Sequence, residues 1–365
     1  IYVVDPQSGN VWSQSISSLS IPLQEQLQST NMEFSQRDST LYLVGGYGYS
    51  ATAGDHVTYD RLIAFDLPGL ITAIVHRNSI APYFRTVSHP GLQVTGGQLE
   101  RLGDTFYLVG GQNFEGRYNP HGPTHGPGFF QQYTDEIRTF EVQDNGFTLT
   151  IQNYQVQQDT MELHRRDYNL VPQIFANGYR GFTAFTGVFQ HAVDLPWLNV
   201  VNIDSLGYTP VPGFEQVFNQ YHTARLPLFD ASLNQMHTLF FGGSGQYYFD
   251  DTGTFINDVN VPFVKTISKV TRFANDSMVE YDTGMRMPGF LGASAEFIPL
   301  PTAPFDQQDI LLLDQLPATG NHHVGYIVGG IESTAENIFF SNTGTQSQAT
   351  TRIFKVKIAR GATAI

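Results

Sequence analysis

The sequence predicts an all-β protein assembled from one repeated antiparallel unit, and three observations carry that expectation. The first is a phrase that recurs along the chain: Thr40-Leu41-Tyr42-Leu43-Val44-Gly45-Gly46, Thr105-Phe106-Tyr107-Leu108-Val109-Gly110-Gly111, Leu239-Phe240-Phe241-Gly242-Gly243 and Gly325-Tyr326-Ile327-Val328-Gly329-Gly330. Each copy is a run of β-branched and aromatic residues halted by a glycine pair. It reads as a buried strand ended where no Cβ is tolerated. The second is composition, since 28 Phe, 18 Tyr and 35 Gly favour strands and tight turns over helices. The third is turn chemistry: Asp144-Asn145-Gly146 separates two alternating runs, and Asn-Gly there is the strongest short-range hairpin signal.

Taken in order, the chain opens on a hairpin, with Ile1–Val4 running into an Asp5-Pro6-x-x-Gly9 turn and a second strand beginning at Asn10. After a Gln- and Ser-rich link, Met32–Gln36 and Thr40–Val44 pair across Arg37-Asp38-Ser39. Arg61–Asp66 and Ile71–Val75 then read as two further strands joined by Pro68-Gly69. The second unit is better defined, with strands Gly97–Leu102, Thr105–Val109, Glu136–Val142 and Phe147–Ile151 and a long loop, Asn113–Asp135, between its second and third. A third unit holds Tyr168–Ile174, Arg180–Thr186 and Trp197–Ile203, with Thr186-Gly187 where the glycine pair belongs. The fourth holds Thr223–Phe229, His237–Phe241, Ile267–Phe273 and Ser277–Tyr281. The fifth holds Ala293–Pro299, Gly325–Val328 and Arg352–Ile358, an insertion with Ile310-Leu311-Leu312-Leu313, and no clear fourth strand.

Units of four antiparallel strands that cannot bury their faces alone suit the radial blades of a β-propeller. The expectation is one propeller domain over residues 1–365, with blades at 26–80, 93–157, 164–212, 221–285 and 291–360 and closing strands or a part-blade at 1–20. The N-terminal hairpin supplies two strands where the fifth unit lacks one. That favours six blades with the first partly missing; five blades, with the hairpin completing the last, is the alternative.

These glycine-pair strands, and the Asp-Pro-x-x-Gly-x-Val-Trp turn intact at Asp5–Trp12, resemble the kelch-type β-propellers. More narrowly, Gly116-Arg117-Tyr118-Asn119-Pro120 and Gln131-Gln132-Tyr133-Thr134 are similar to runs in uncharacterised secreted bacterial kelch-like proteins. That resemblance implies the propeller fold and an exported or cell-surface location, often by type IX secretion with a C-terminal sorting domain that is not evident in this chain. It implies little about mechanism.

Charge removes some classes. With 19 basic against 33 acidic residues and a net charge of -14, no basic stripe is available to neutralise phosphates, so neither nucleic acid nor an anionic membrane is an expected partner. No apolar run is long enough to span a bilayer, and the first residues lack the pattern of a signal peptide. The absence of cysteine excludes disulfides, thiolate metal sites and a copper-radical oxidase of the galactose oxidase type. No sialidase box, Gly-x-Ser-x-Gly elbow, phosphate loop or dinucleotide fingerprint is present. The low charged fraction of 14% with abundant Asn, Gln, Ser and Thr leans toward an extracellular or cell-surface protein.

Three clusters are candidate sites. Arg117, Tyr118, His121, His125, Phe129 and Tyr133 crowd the long loop of the second unit. His121 and His125 have a helical ligand spacing, but Gly122, Pro123 and Pro127 forbid a helix, so the choices are a binding loop or a self-packed surface loop. His164, Arg165 and Arg166 before the third unit, with His222 and Arg225 before the fourth, suit an anionic ligand at a channel mouth. The bland alternative is ion pairs with neighbouring carboxylates. Asp250, Asp251 and Asp258 offer hard oxygen ligands to calcium, without an EF-hand spacing. No other cofactor is expected.

Three functions from different classes stay open. One is a non-catalytic protein-interaction propeller among the subunits of an exported or surface bacterial assembly, which the motif absences and aromatic loops favour. The second is a carbohydrate-binding propeller using Tyr and Phe faces for glycans. The third is an enzyme acting on a sugar or sugar acid, of epimerase or lyase type, whose acid and base leave no local motif.

Overall fold

The computed structural model describes residues 1–118, 129–337 and 345–361. Strand outweighs helix, 51% to 8%, and the strands form the five small antiparallel sheets of a β-propeller. The chain divides into two compact units, Ile1–Arg166 with blades one and two, and Asp167–Ile365 with blades three, four and five.

In the first unit, blade one runs Thr30–Arg37, Thr40–Ser50, Arg61–Asp66 and Phe84–Ser88, each strand pairing with the next. Blade two runs Gln98–Leu102, Thr105–Val109, Glu136–Asp144 and Leu149–Gln158. Alternation puts Tyr42, Val44, Phe106 and Leu108 into one core cluster between the two sheets. Each such side chain contributes about 1.5–3 kcal/mol of burial.

In the second unit, blade three runs Asn169–Ile174, Arg180–Phe185, Val201–Asp204 and Gly207–Pro210. Blade four runs Ala224–Asp230, Gln235–Phe241, Thr266–Arg272 and Met278–Arg286. Blade five has, among the described residues, three strands, Ala295–Pro299, Gly320–Gly329 and Ile353–Arg360. The Leu-rich insertion supplies Leu311–Leu312, which pairs in parallel with the first strand of blade four.

Six blades was the favoured expectation, and the structure corrects it to five. Among the described residues the N-terminal strands Tyr2–Val4 and Val11–Ser13 pair with each other and with no blade strand. Val3 and Trp12 pack on a cluster containing Leu70, Ala73 and Ile74 within the first unit.

A second correction explains that cluster. Ile71–Val75, expected as a strand, belongs to the helix Leu67–His76. Asp66 caps it by accepting a hydrogen bond from the Gly69 N–H, and Pro68 sits in its first turn. Its face of Leu70, Ala73 and Ile74 is buried. The Gln-rich link also folds as a short helix, Ile21–Leu27. Among the described residues no helix is long and apolar enough to cross a membrane.

The glycine pairs do more than stop strands. In blade one the strand continues through Gly45 and Gly46 to Ser50, correcting the expectation that it ends there. Both glycines have positive φ, and a Cβ on Gly45 would collide with the carbonyl oxygen of Val94. In blades one, two and four the second glycine of the pair donates its N–H to the loop that leads into a following blade: Gly46 to Val94 at 2.8 Å, Gly111 to Arg165 at 2.8 Å and Gly243 to Leu291 at 3.0 Å. Blade three keeps the same conformation without a first glycine. Thr186 has φ 51° and Gly187 φ 103°, and the Thr186 hydroxyl donates to the Asn219 carbonyl at 3.1 Å.

Candidate functional site

Beyond its glycine pair, the connection from second to third strand grows into an accessory hairpin in four of the five blades. In blade one, Tyr47–Ser50 folds back on Asp55–Thr58. In blade two, Gln112–Glu115 pairs with Phe130–Tyr133. Tyr247–Phe249 with Phe255–Asn257, and Ile331–Ser333 with Ser347–Ala349, do the same in blades four and five.

The two hairpins of the first unit are laced together. The Thr58 hydroxyl donates to the Phe114 carbonyl at 2.8 Å and accepts from the Phe114 N–H at 2.9 Å. The Gly116 N–H donates to the His56 carbonyl at 2.9 Å. The Tyr47 hydroxyl donates to the Gly116 carbonyl at 2.5 Å and accepts from the Tyr118 N–H at 3.0 Å, and burial raises its pKa. These bonds hold a chain of rings. Tyr49 meets His56 at 5.4 Å between centroids, His56 meets Tyr47 at 5.8 Å and Tyr47 meets Phe114 at 5.1 Å. Phe114 stacks on Phe129 at 4.8 Å and touches Tyr118 edge-on at 5.6 Å. Phe114 is buried, whereas Tyr49 and Tyr118 are 57% and 52% exposed. The result is a fixed aromatic surface with outward-facing rings.

Of the expected loop residues, Tyr118 and Phe129 join this surface and Arg117 is exposed beside it. His121 and His125 lie outside the described residues. Tyr133 turns elsewhere. Its ring stacks on His164 at 3.8 Å, and its hydroxyl accepts from the Arg166 Nε at 3.1 Å. The structure thereby joins one member of the loop cluster to two of the histidine and arginine cluster.

The remaining members of that cluster already have partners. His164 Nδ1 is 2.8 Å from Asp135 Oδ1. Arg165 is buried and its Nε donates to the Glu162 carbonyl at 2.9 Å. In the second unit, His222 Nδ1 lies 3.6 Å from Asp167 Oδ1. Arg225 donates through Nε to the Leu170 carbonyl at 3.0 Å and lies 3.6 Å from Glu296. The aspartates are likewise engaged. Asp250 Oδ1 accepts from the Thr252 and Thr254 N–H groups and the Thr252 hydroxyl, Asp251 pairs with Lys265 at 3.0 Å, and Asp258 Oδ1 accepts from Asn260. Among the described residues no three His, Asp or Glu side chains come together as a metal site.

Sequence reasoning missed a cleft of about 610 Å³ on blade four. Phe218, Phe249, Phe255, Met278 and Tyr281 line it together with Glu280. Glu280 as a residue is half-buried, but its Oε1 has no solvent contact and no hydrogen-bond partner, and its Oε2 accepts from the Phe218 N–H at 2.9 Å. Burial pushes its pKa up to about 8, outweighing the backbone donors. No local signal marked it: in the run Met278-Val279-Glu280-Tyr281-Asp282 alternation would turn Val279 and Tyr281 inward and Glu280 outward, whereas Val279 and Tyr281 are exposed and Glu280 is half-buried.

Neither a known protein family nor a curated protein matches the sequence. Among solved structures, that of YjhT aligns over 93% of this chain and 87% of its own, with a TM-score of 0.48 and 10% identity.

Proposed function

We propose that the protein is a non-catalytic interaction propeller of an exported or cell-surface assembly, and that it grips a protein partner through the paired hairpins of its first unit. One observation carries the reading: two hairpins bonded backbone to side chain present Tyr49, Tyr118 and Phe129 as exposed rings over a buried Phe114. Aromatic anchors held in place before binding lose little conformational entropy on association, which is the pattern of an interface centre. The test compares the mass of the native particle for wild type and for Tyr49→Ala/Tyr118→Ala. The expected outcome is a stoichiometric complex that the double substitution dissolves while the unfolding midpoint stays put. A lone chain in both preparations would remove the reading.

A second reading, glycan binding, is favoured by the same exposed Tyr faces with Asn113, Gln131 and Arg117 nearby on the hairpins, since rings stack on sugars and amides bond hydroxyls. Binding to a glycan panel that vanishes in Tyr118→Ala, in a protein found as a monomer, would select it.

A further inference from the structure

Among the described residues, four of the five blade sheets are completed by a fourth strand and the fifth ends at its third. Ile353–Arg360 pairs along its length with Gly320–Gly329, and no strand among the described residues lies on its other side. We propose that this free edge is a strand-addition site for an extended acidic segment of a partner protein, a second interaction surface independent of the hairpins.

The pleat of the strand says what such a segment must look like. Phe354, Val356 and Ile358 alternate onto the core cluster of the second unit, whereas Lys355, Lys357 and Ala359 are exposed. The two lysines make no ion pair or hydrogen bond with any described residue, in a chain whose net charge is -14. A strand laid against this edge therefore places side chains beside Phe354, Val356 and Ile358 on an apolar face, and others beside two unneutralised ammonium groups. An alternation of apolar and Asp or Glu residues satisfies both faces. The backbone ladder supplies affinity and the alternate side chains supply selection. A second copy of the same edge is a poor occupant, because it would bring lysines against lysines. Charged residues at an edge are the ordinary guard against that pairing.

The probes are two labelled peptides of about eight residues, the length of the strand, one alternating Val with Glu and one alternating Val with Lys. Anisotropy titrations use the full chain. The Val–Glu peptide is expected to bind, and to bind about tenfold or more tightly than Val–Lys, the effect of two cross-strand charge contacts. Its affinity falls as salt is raised. Lys355→Glu/Lys357→Glu reverses the preference, and Lys355→Gln/Lys357→Gln abolishes it. Both variants keep the wild-type unfolding midpoint, because the lysines are exposed and no described residue pairs with them. Amide exchange with the Val–Glu peptide bound should slow within Ile353–Arg360. Equal binding of both peptides, binding of neither, a preference that survives the charge reversal, or protection elsewhere would each overturn the proposal. So would self-association of the free protein abolished by the charge reversal, since a second copy would then occupy the edge.

Discussion

Blades four and five are built from the same phrase, yet their outer sides are finished in opposite ways. Blade four carries its fourth strand, Met278–Arg286, and gains an extra parallel strand, Leu311–Leu312, on its first. Blade five lends that extra strand from its own insertion and, among the described residues, shows three of its own. The two sheets nonetheless share one core cluster, which holds Leu226 and Leu228 of blade four, Ile327 and Val356 of blade five, and Leu311 of the insertion. A blade can therefore go without its outermost strand when its inner strands share a core with a neighbour. The outermost position is the one that sequence can leave open.

Substitutions that break this contrast are ordered by size. The largest effect is expected at Gly242, where φ is positive and a Cβ would strike the Leu291 carbonyl, which is part of the chain leading into blade five. Gly242→Ala should lower stability by about 4 kcal/mol in urea unfolding, because backbone rather than a flexible side chain must move. Leu311→Ala follows at about 3 kcal/mol, from a cavity in the shared cluster. It should loosen both blades together, seen as faster amide exchange in each, and loosening of one alone would refute the shared core.

Glu280 comes next, and its effect depends on pH. Its folded pKa of about 8 stands above the 4.5 of the free side chain, so the native state holds a proton that the unfolded chain releases. Stability should therefore fall as pH rises from about 4.5 to about 8, on the order of 2 kcal/mol after allowing for screening at a half-buried residue. Glu215 lines the same cleft, and so does Asp282, which pairs with Arg286 at 2.7 Å. Glu280→Gln should flatten the slope and leave the variant the more stable form at pH 8. A slope unchanged by the substitution would assign the pH dependence to other groups. The smallest effect is expected at Gly329 of blade five, whose φ is positive but whose Cβ would meet nothing. Gly329→Ala should cost about 1 kcal/mol, the backbone strain alone. The ratio between the two glycine substitutions thus measures close approach separately from conformation.

What could be read from the sequence was whatever the local pattern fixes. The glycine-pair strands and the Asn145-Gly146 hairpin fell where expected, because alternation and turn chemistry are short-range signals. Ile71–Val75 went wrong because β-branched residues favour strand, while the Asp66 cap and Pro68 that overrule them lie just upstream. Gly207–Pro210 was missed because it shows no apolar alternation; it is a strand through pairing with Val201–Asp204. The site was less legible still. Tyr47, Phe114 and Tyr118 touch only because two separate blades project hairpins side by side, and Tyr133 meets His164 across a whole pair of strands. Such meetings depend on topology, which no window of sequence contains.

In blades one, two and four, the bond from the second glycine of the pair to the loop leading into a following blade separates the accessory hairpin from the sheet that bears it. Gly46, Gly111 and Gly243 close off their blades with one N–H apiece, and the chain beyond them is free to change length. The hairpin in blade one spans Tyr47–Thr58, whereas that in blade two reaches from Gln112 to Tyr133, with the same sheet order behind both. For protein engineering, these are splice points. A foreign recognition loop inserted after the second glycine is carried by a boundary the blade has already sealed.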